Sequence, residues 1–365
     1  MRDQLSAIIC DDIEQTDERA IPFARFMELA LYHPTYGYYT KEKHKVGKEG
    51  DFYTSATVHP VFSETLADAI CQYWDECRPQ VPTLVEVGGG TGYMIKHMVA
   101  QIRASRPDWY EKLRIILVEA SPYHRELQAE AILDFAGSKT WYSSIEEAAQ
   151  NEEIEGVIVS NEYFDAFPVH IVERDKNGWY EIGVAVDGDH FVEKHLQRVT
   201  PEVEAFLQEA DVQVRGKMRI EVNLGMKQAV ASMAKILRKG HILTIDYGDL
   251  QKDLYHPNRN RGTLMCYYKH QAHENPFIHV GEQDITAHVN FSSLMKWGEE
   301  AGVETVSFQR QDEFLIQHGI LHKAESHNDR DPFTSQAMKR NRAIQQLIMP
   351  SGMGGVFRIL LQKRL

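Results

Sequence analysis

Residues 84–92, which read LVEVGGGTG, limit the folds open to this chain more than any other stretch. An apolar, β-prone run leads into three glycines and then Thr91 and Gly92, and a helical pattern continues over residues 93–104. This order predicts a strand, a tight glycine loop and the N-terminus of a helix. Glycine lets a ligand approach the backbone, and free N–H groups at a helix N-terminus attract polar or anionic atoms. The loop is therefore predicted to bind a ligand, and a ligand-free turn is the weaker interpretation.

The spacing of the glycines separates two classes of nucleotide-binding loop. A dinucleotide fingerprint that starts at Gly88 needs glycine at position 93, where this chain has Tyr93. The pattern present is E-x-G-x-G-x-G, formed by Glu86, Gly88, Gly90 and Gly92. This form is typical of methyltransferases that use S-adenosylmethionine (SAM). The loop therefore predicts SAM as the cofactor and disfavours a nicotinamide dehydrogenase.

The elements around this loop alternate between strand and helix. Strands are predicted at residues 83–87, 113–119 and 156–161, and helices at 93–104, 122–135 and 145–149. Short apolar strands separated by helices predict a parallel sheet that is buried on both faces, with ligands beyond the carboxyl ends of its strands. The predicted fold class is therefore α/β, with a Rossmann-like sheet.

The rest of the chain is expected to add segments to this sheet. Residues 1–80 are predicted to form an N-terminal helical segment with a lid loop, and 81–249 the SAM-binding core with an antiparallel meander inserted at 169–194. Residues 250–350 are predicted to be a helical and loop insertion over the ligand edge, and 351–365 a closing strand. Within these segments, helices are expected at 226–237 and 291–301 and strands at 241–247, 303–309 and 355–362, as the pattern of apolar residues indicates.

Composition narrows the class of partner. The chain has 365 residues, 43% of them hydrophobic and 25% charged, which fits a globular protein with one large domain or two modest ones. The formal net charge of −13 argues against a general nucleic-acid binder and is compatible with a cationic partner, although acidic surfaces often serve solubility alone. No apolar run approaches the ~18 residues of a membrane span.

Cysteine usage and the N-terminus bear on the compartment. The four cysteines form no C-x-x-C pair, which fits a reducing compartment and gives no zinc signature. His318 and His322 lack the glutamate of a helical zinc motif, so no metal site is expected. The first residues carry one early arginine and then several acids, unlike a transit or secretory peptide. A cytoplasmic location is the expectation.

Polar residues at strand ends are the candidates for cofactor contacts. Glu119 ends the strand RIILVE, where a carboxylate can accept both ribose hydroxyls of a nucleoside, although a solvated strand-end acid is the alternative. Glu86 either fixes the loop backbone or reaches the ammonium group of the cofactor. Asn161, at the end of another strand, is a further predicted cofactor contact.

The segment SNEYFDAFP at residues 160–168 is the second strong signal. A guanidinium acceptor is a poor nucleophile while it is protonated and delocalised. Carboxylates can bind it through two hydrogen bonds, localise its charge and help to remove a proton. Glu162 and Asp165 are the predicted catalytic acids, and the alternative is a strand-to-helix turn capped by Asn161 and Asp165.

Two other polar segments have weaker interpretations. Residues 50–55, GDFYTS, are either a lid over the cofactor or an ordinary loop. Asp284 and His288 lie four residues apart and would share a face of a helix. They are either acid/base groups or a plain N-cap and surface histidine, and spacing alone favours the plain interpretation.

Seven stretches together resemble the MidA-like methyltransferases, the family of the mitochondrial complex I assembly methyltransferase. They are YHPTYGYY (32–39), GDFYTSATVHPVF (50–62), LVEVGGGTG (84–92), SNEYFDAFPV (160–169), IDYG (245–248), RGTLMCYY (261–268) and QDITAHVNF (283–291). The resemblance implies a SAM-dependent methyltransferase core with a helical insertion and, for the mitochondrial members, protein arginine N-methylation. It also implies that Gly88, Gly90, Gly92 and Glu119 hold SAM and that Glu162 faces the acceptor.

One departure from the family pattern limits what the resemblance implies. Family members often carry a Pro-Glu pair after the G-x-F-x-T segment, where this chain reads ATVH at residues 56–59. A role for an acid at that place therefore does not transfer.

The predicted activity is SAM-dependent methylation of an arginine side chain on a protein, without nucleic-acid or membrane partners and with a homodimer as a further expectation. A small-molecule O- or N-methyltransferase is one alternative, which a small closed apolar acceptor pocket would favour. A non-catalytic assembly factor that binds SAM weakly or not at all is the other. The intact glycine loop and Glu119 argue against it.

Overall fold

The computed structural model describes residues 3–41, 59–210, 212, 217–327, 335–350 and 352–365. Its strands are β1 (Ile21–Pro22), β2 (Thr83–Val87), β3 (Arg114–Val118), β4 (Ser138–Tyr142), β5 (Ile154–Asn161), β6 (His170–Asp175), β7 (Gly178–Asp187), β8 (His190–His195), β9 (Met218–Val222), β10 (Leu237–Asp249), β11 (Met265–Tyr268), β12 (Gln271–His273), β13 (Asp284–Thr286), β14 (Val289–Asn290), β15 (Glu304–Arg310) and β16 (Phe357–Arg364). Its helices are α1 (Gln4–Glu14), α2 (Phe23–Tyr32), α3 (Pro60–Cys77), α4 (Tyr93–Ser105), α5 (Pro107–Tyr110), α6 (Pro122–Ala131), α7 (Ile145–Asn151), α8 (Pro201–Glu209), α9 (Gly225–Ile236), α10 (Gln251–Leu254), α11 (Phe291–Glu300), α12 (Gln311–Gln317), α13 (Gln336–Ile348) and α14 (Met353–Val356). Two short 3₁₀ helices lie at Pro257–Arg259 and Ile320–Lys323.

The described residues form two compact units that interleave along the chain. The core unit falls within Tyr53–Tyr163, Ala229–Tyr247 and Met295–Leu365. The meander unit falls within Met1–Phe52, Phe164–Gln228 and Gly248–Leu294. These units differ from the consecutive segments that were predicted. Helices α1 and α2 lie in the meander unit and α3 lies in the core unit, and residues 250–350 are likewise divided between the two units.

The core unit contains the predicted Rossmann-like sheet. Its strands follow the order β15-β16-β10-β5-β2-β3-β4. Strands β10, β5, β2, β3 and β4 pair in parallel, and β16 runs antiparallel to both β10 and β15. Every residue of β2 is buried, as a parallel strand covered on both faces requires. Phe62 and Trp74 of α3 and Ile95 of α4 pack with Leu84 in the same hydrophobic core.

Several boundaries of this sheet differ from the sequence prediction. Strand β4 was not predicted, because its residues SKTWY are polar or aromatic and stay partly exposed. Helix α6 ends at Ala131 instead of 135, since Ile132 and Phe135 continue the apolar spacing but are buried in the turn that follows. The strands predicted at 303–309 and 355–362 are confirmed as β15 and β16.

The meander unit holds the predicted antiparallel strands. Strand β6 pairs with β7, and β7 with β8, which confirms the antiparallel meander predicted at residues 169–194. Strand β9, which was not predicted, pairs with the other edge of β6. Its core combines Phe23 and Phe26 of α2 with Ile171 and Ile182 of the sheet.

Residues 250–294 of the meander unit contain short helices, as predicted, and also a small sheet that was not predicted. Its order is β12-β11-β13, and β14 pairs in parallel with Gly248 and Asp249 at the end of β10. Asp284 lies on β13 and His288 follows it, so the helix that would place both on one face is not formed. Across the described ranges, no helix combines the length and the apolar character needed to cross a bilayer.

Candidate functional site

The glycine loop of the core unit joins β2 to α4, as predicted. Gly88, Gly90 and Gly92 have φ angles of +71°, +53° and +77°, in the left-handed region that favours glycine. A Cβ on Gly92 would lie 2.9 Å from Cα of Gln128, so this glycine is needed for the packing of α4 against α6. A Cβ on Gly90 would meet no described atom within 4 Å. The described residues therefore leave space next to Gly90, where a ligand can approach the backbone.

Two side chains hold the backbone of Gly90 from both sides. The Gln128 amide Nε2 donates to the carbonyl oxygen of Gly90 (2.9 Å), and its Oε1 accepts from the indole of Trp141 (3.1 Å). The Glu119 carboxylate accepts the N–H of Gly90 (3.1 Å) and the N–H of Ser121 (3.0 Å). The shape of the loop is thus fixed by an amide and a carboxylate that are both buried.

Sequence reasoning missed Gln128. It lies on α6 with His124, four residues earlier, and both are buried although the helix is polar. Two polar residues at this spacing share a helix face. The polar spacing was present in the sequence, whereas the burial of this helix face against the glycine loop is known only from the structure.

Glu86 lies directly below the loop and is completely buried. Neither carboxyl oxygen has a hydrogen-bond partner in the part of the chain that the structure describes. A Cβ on Gly89 would collide with this carboxyl group, so the loop packs closely onto it. Burial first, and then the charge of Glu119, raise the pKa of Glu86 to about 8.

The end of β5 places Asn161, Glu162 and Tyr163 beside the same loop. Glu162 has φ +51°, an uncommon conformation for a residue with a side chain. Its N–H donates to the carbonyl oxygen of Ile245 (3.0 Å), and its Oε1 accepts from the Asn161 amide (3.0 Å). The ring of Tyr163 lies against Gly88, where Cδ2 would be 2.8 Å from an added Cβ. The structure therefore brings the predicted Asn161 and Glu162 next to the glycine loop.

Asp246 is a second residue that sequence reasoning did not assign, although its IDYG stretch was noted. It ends the buried part of β10 and is completely buried. Its carboxylate accepts the N–H of Tyr163 (3.2 Å) and the N–H of Tyr247 (2.8 Å). Asp246 therefore fixes the turn that carries Glu162. The two segments come together because β10 pairs with β5, which the sequence alone does not indicate.

Asp165 belongs to the meander unit, whereas Glu162 belongs to the core unit. Asp165 is buried, and its carbonyl oxygen accepts the N–H of Ala287 (2.9 Å). In the same unit the hydroxyl of Tyr39 donates to Asp284 (2.7 Å). Burial, and then the charge of Asp284, raise the pKa of Tyr39 well above its ordinary value. The catalytic role predicted for Asp165 stays a prediction.

The RGTL and DITAHV stretches meet through a buried glutamate of the meander unit. The carboxylate of Glu221 accepts both the N–H and the hydroxyl of Thr263 (2.9 Å each). The Thr263 hydroxyl oxygen accepts the N–H of His288 (3.0 Å). Burial raises the pKa of Glu221. The two stretches are therefore held together by a carboxyl group that no sequence motif indicated.

The remaining predictions fall outside these sites. Residues 50–55, interpreted as either a lid over the cofactor or an ordinary loop, lie outside the described residues. Within the described ranges, no group of three or more His, Cys, Asp or Glu side chains is arranged to hold a metal ion.

Comparison with known proteins identifies the family of the chain. A family model of S-adenosyl-L-methionine-dependent methyltransferases matches residues 65–309. A Burkholderia thailandensis protein, crystallised with S-adenosyl-homocysteine bound, is 30% identical over 99% of this chain and 92% of its own, with a TM-score of 0.86. A second crystal structure from that species is 31% identical, with a TM-score of 0.84 over 99% of this chain and 91% of its own.

Curated relatives agree with this placement. The protein arginine methyltransferase NDUFAF7, mitochondrial, of Danio rerio is 29% identical over 76% of this chain and 68% of the relative. The protein of the same name from Homo sapiens is 25% identical over 92% of this chain and 78% of the relative. The family model covers most of this chain, from α3 to β15. The chain therefore belongs to the MidA-like family of SAM-dependent methyltransferases.

Proposed function

We propose that SAM is held in the core unit by the glycine loop and by the strand ends beside it. The open space at Gly90 gives room for a ligand against the backbone. Glu119 is predicted to bind the ribose, and Asn161 offers a buried Oδ1 with no hydrogen-bond partner among the described residues. Carboxyl groups at residues 86, 119 and 162 around one loop favour a ligand with positive charge. These features fit SAM, which supplies an electrophilic methyl group on a sulfonium.

We further propose that the acceptor is an arginine side chain of a protein. The observation that most directly supports an arginine acceptor is the left-handed backbone conformation of Glu162 beside the loop. A backbone conformation of this kind costs about 1–3 kcal/mol and persists where surrounding contacts or function require it. Its half-buried carboxylate is tied by one oxygen to Asn161. The names of the curated relatives support arginine as the acceptor.

The chemistry proposed for Glu162 follows from its charge and position. A carboxylate binds a guanidinium through charge-assisted hydrogen bonds and orients one nitrogen. Holding that nitrogen in line for displacement is the main requirement of methyl transfer. The carboxylate also accepts a proton from the guanidinium as the new N–C bond forms. Asp246 acts as a positioning residue, because it holds the N–H of Tyr163 next to Glu162.

Radiolabelled methyl transfer tests this function directly. The purified chain is incubated with SAM labelled in its methyl group and with lysate from cells that lack the protein. We expect label in protein, recovered as methylarginine after hydrolysis. Label confined to the low-molecular-weight fraction would indicate a small-molecule acceptor instead. Absence of label in every fraction, despite SAM binding, would favour the assembly factor.

The Gln128 amide gives a prediction about loop geometry. Gln128→Ala removes the donor to the Gly90 carbonyl, so we expect SAM affinity to fall ~10-fold, as one lost buried hydrogen bond implies. Gln311 is an equally buried glutamine of the same unit, whose amide donates to the Leu347 carbonyl (3.4 Å). Gln311→Ala is the matched control, expected to lower the melting temperature similarly and to keep SAM affinity. Calorimetric titration of both variants measures the difference, and equal affinities would contradict the proposal.

The cytoplasmic location and the homodimer stay predictions, because the geometry of the site bears on neither.

A further inference from the structure

Glu86 is a carboxyl group inside the core unit, and no described residue donates a hydrogen bond that would stabilise its charge. The residue is completely buried, and both oxygens lack a hydrogen-bond donor within the described ranges. An ionised carboxylate in such a place is costly, whereas a neutral acid is tolerated. The contrast with Glu119 is direct, because that carboxylate receives the N–H groups of Gly90 and Ser121.

Among the described residues, the charged groups near Glu86 do not supply a compensating cation. The carboxylate of Glu119 acts on Glu86 and disfavours a second negative charge. On α6, His124 Nδ1 lies 3.7 Å from a carboxylate oxygen of Glu119, and Arg125 donates to the backbone carbonyl of Glu119 (2.6 Å). At the end of β5, Glu162 adds another acid. Three carboxyl groups, those of Glu86, Glu119 and Glu162, therefore lie around the loop, and no described atom occupies the space next to Gly90.

We propose that Glu86 is a neutral carboxylic acid in the cofactor-free protein and releases its proton to solvent when the cationic cofactor binds. The inference rests on the proposed cofactor site. No other bond changes in this step, since the proton leaves the carboxyl oxygen for the buffer and the negative charge that remains is compensated by the ligand. Glu86 thereby selects for the positive charge of the ligand.

The expected pH dependence follows from the ionised form being the one that binds. The pKa of Glu86 in the cofactor-free protein is raised to about 8. Below that pH the ionised fraction falls tenfold per unit, so SAM affinity is expected to fall about 50-fold between pH 8 and pH 6. Above pH 8 the affinity levels off. A neutral ligand at the same loop shows no such trend.

Isothermal titration calorimetry in buffers with different ionisation enthalpies measures the released proton. We expect SAM to release close to one proton at pH 7, by linkage, from the wild-type protein. The neutral analogue 5′-methylthioadenosine is expected to release none. Glu86→Gln keeps the shape of the side chain, and its SAM binding is expected to lose this proton release. Protons exchanged by other groups, such as the amino group of the ligand, are also exchanged in the variant, so the difference between wild type and variant is the contribution of Glu86.

The outcomes separate this inference from the proposed function. Wild-type binding of SAM without dependence on the buffer overturns the inference and leaves the function intact. The same proton release in wild type and Glu86→Gln also overturns it. No binding of SAM in any buffer contradicts the proposed cofactor site itself.

The cofactor-free protein gives an independent readout if Glu86→Gln binds SAM poorly. A carboxyl whose folded pKa lies above its unfolded value destabilises the fold progressively as pH rises from the unfolded value of about 4.5 towards 8. Glu86→Gln carries no titratable carboxyl, so the variant does not lose this stability as the pH rises. We expect the variant to melt ~5 °C higher than wild type at pH 8 and at the same temperature at pH 4, given typical unfolding entropies. If the difference in melting temperature between Glu86→Gln and wild type is the same at pH 4 and pH 8, Glu86 is not neutral in the folded protein.

Discussion

Gly90→Val is expected to keep the fold and to lose SAM binding, with affinity reduced at least ~100-fold. The added side chain would project into space that holds no described atom, so it displaces a ligand and not the protein itself. The φ of +53° adds backbone strain of ~1–2 kcal/mol for a residue with a Cβ. Calorimetric titration with SAM measures the affinity, and thermal melting of the cofactor-free variant measures the strain.

A matched control separates the filled space from the strain. Gly188, in the turn between β7 and β8, has φ +58° and likewise no described atom within 4 Å of an added Cβ. Gly188→Val therefore carries a similar backbone cost at a place outside the loop. We expect it to melt as low as Gly90→Val and to bind SAM like wild type. Equal SAM affinity in both variants would mean that the space at Gly90 is not the cofactor site.

Local sequence patterns were sufficient to predict the elements that carry the glycine loop. Strand β2 is buried throughout and mostly apolar, and the glycines after it adopt left-handed backbone, so the sequence pattern located the loop. The ends of β3 and β5 were found for the same reason, because short apolar runs stop at polar residues. Comparison with relatives confirmed the fold, the SAM dependence and the family.

Glu119 was predicted from its strand end, but two other residues that shape the loop and the turn beside it, Gln128 and Asp246, were out of reach of such patterns. Gln128 acts through a contact between α6 and the loop, 38 residues apart in the chain. Asp246 bonds to Tyr163 because β10 pairs with β5 across 83 residues. Strand β4 was missed since its polar sequence lacks the burial signal. The interleaving of the two units depends on long-range packing, which no local period records.

Glu162→Gln is expected to lower turnover by ~100- to 10,000-fold while SAM affinity changes less than ~3-fold, as the loss of an acid/base group implies. The amide keeps the oxygen that accepts from Asn161 but carries no charge for a guanidinium. Glu155 provides the control, since it lies near the start of the same strand and pairs with Arg238. Glu155→Gln is expected to keep full turnover.

Replacing the same residue by glycine distinguishes a chemical role from a structural one. At φ +51°, glycine relieves the strain that a side chain suffers. Glu162→Gly is therefore expected to melt no lower than wild type and still to lose turnover, when both are measured on cofactor-loaded protein. If Glu162 only supported the turn, glycine would leave turnover near the wild-type level. The proposed arginine acceptor rests on the carboxylate that is kept beside the loop at a conformational cost, so active Glu162→Gly protein would remove this basis for assigning arginine.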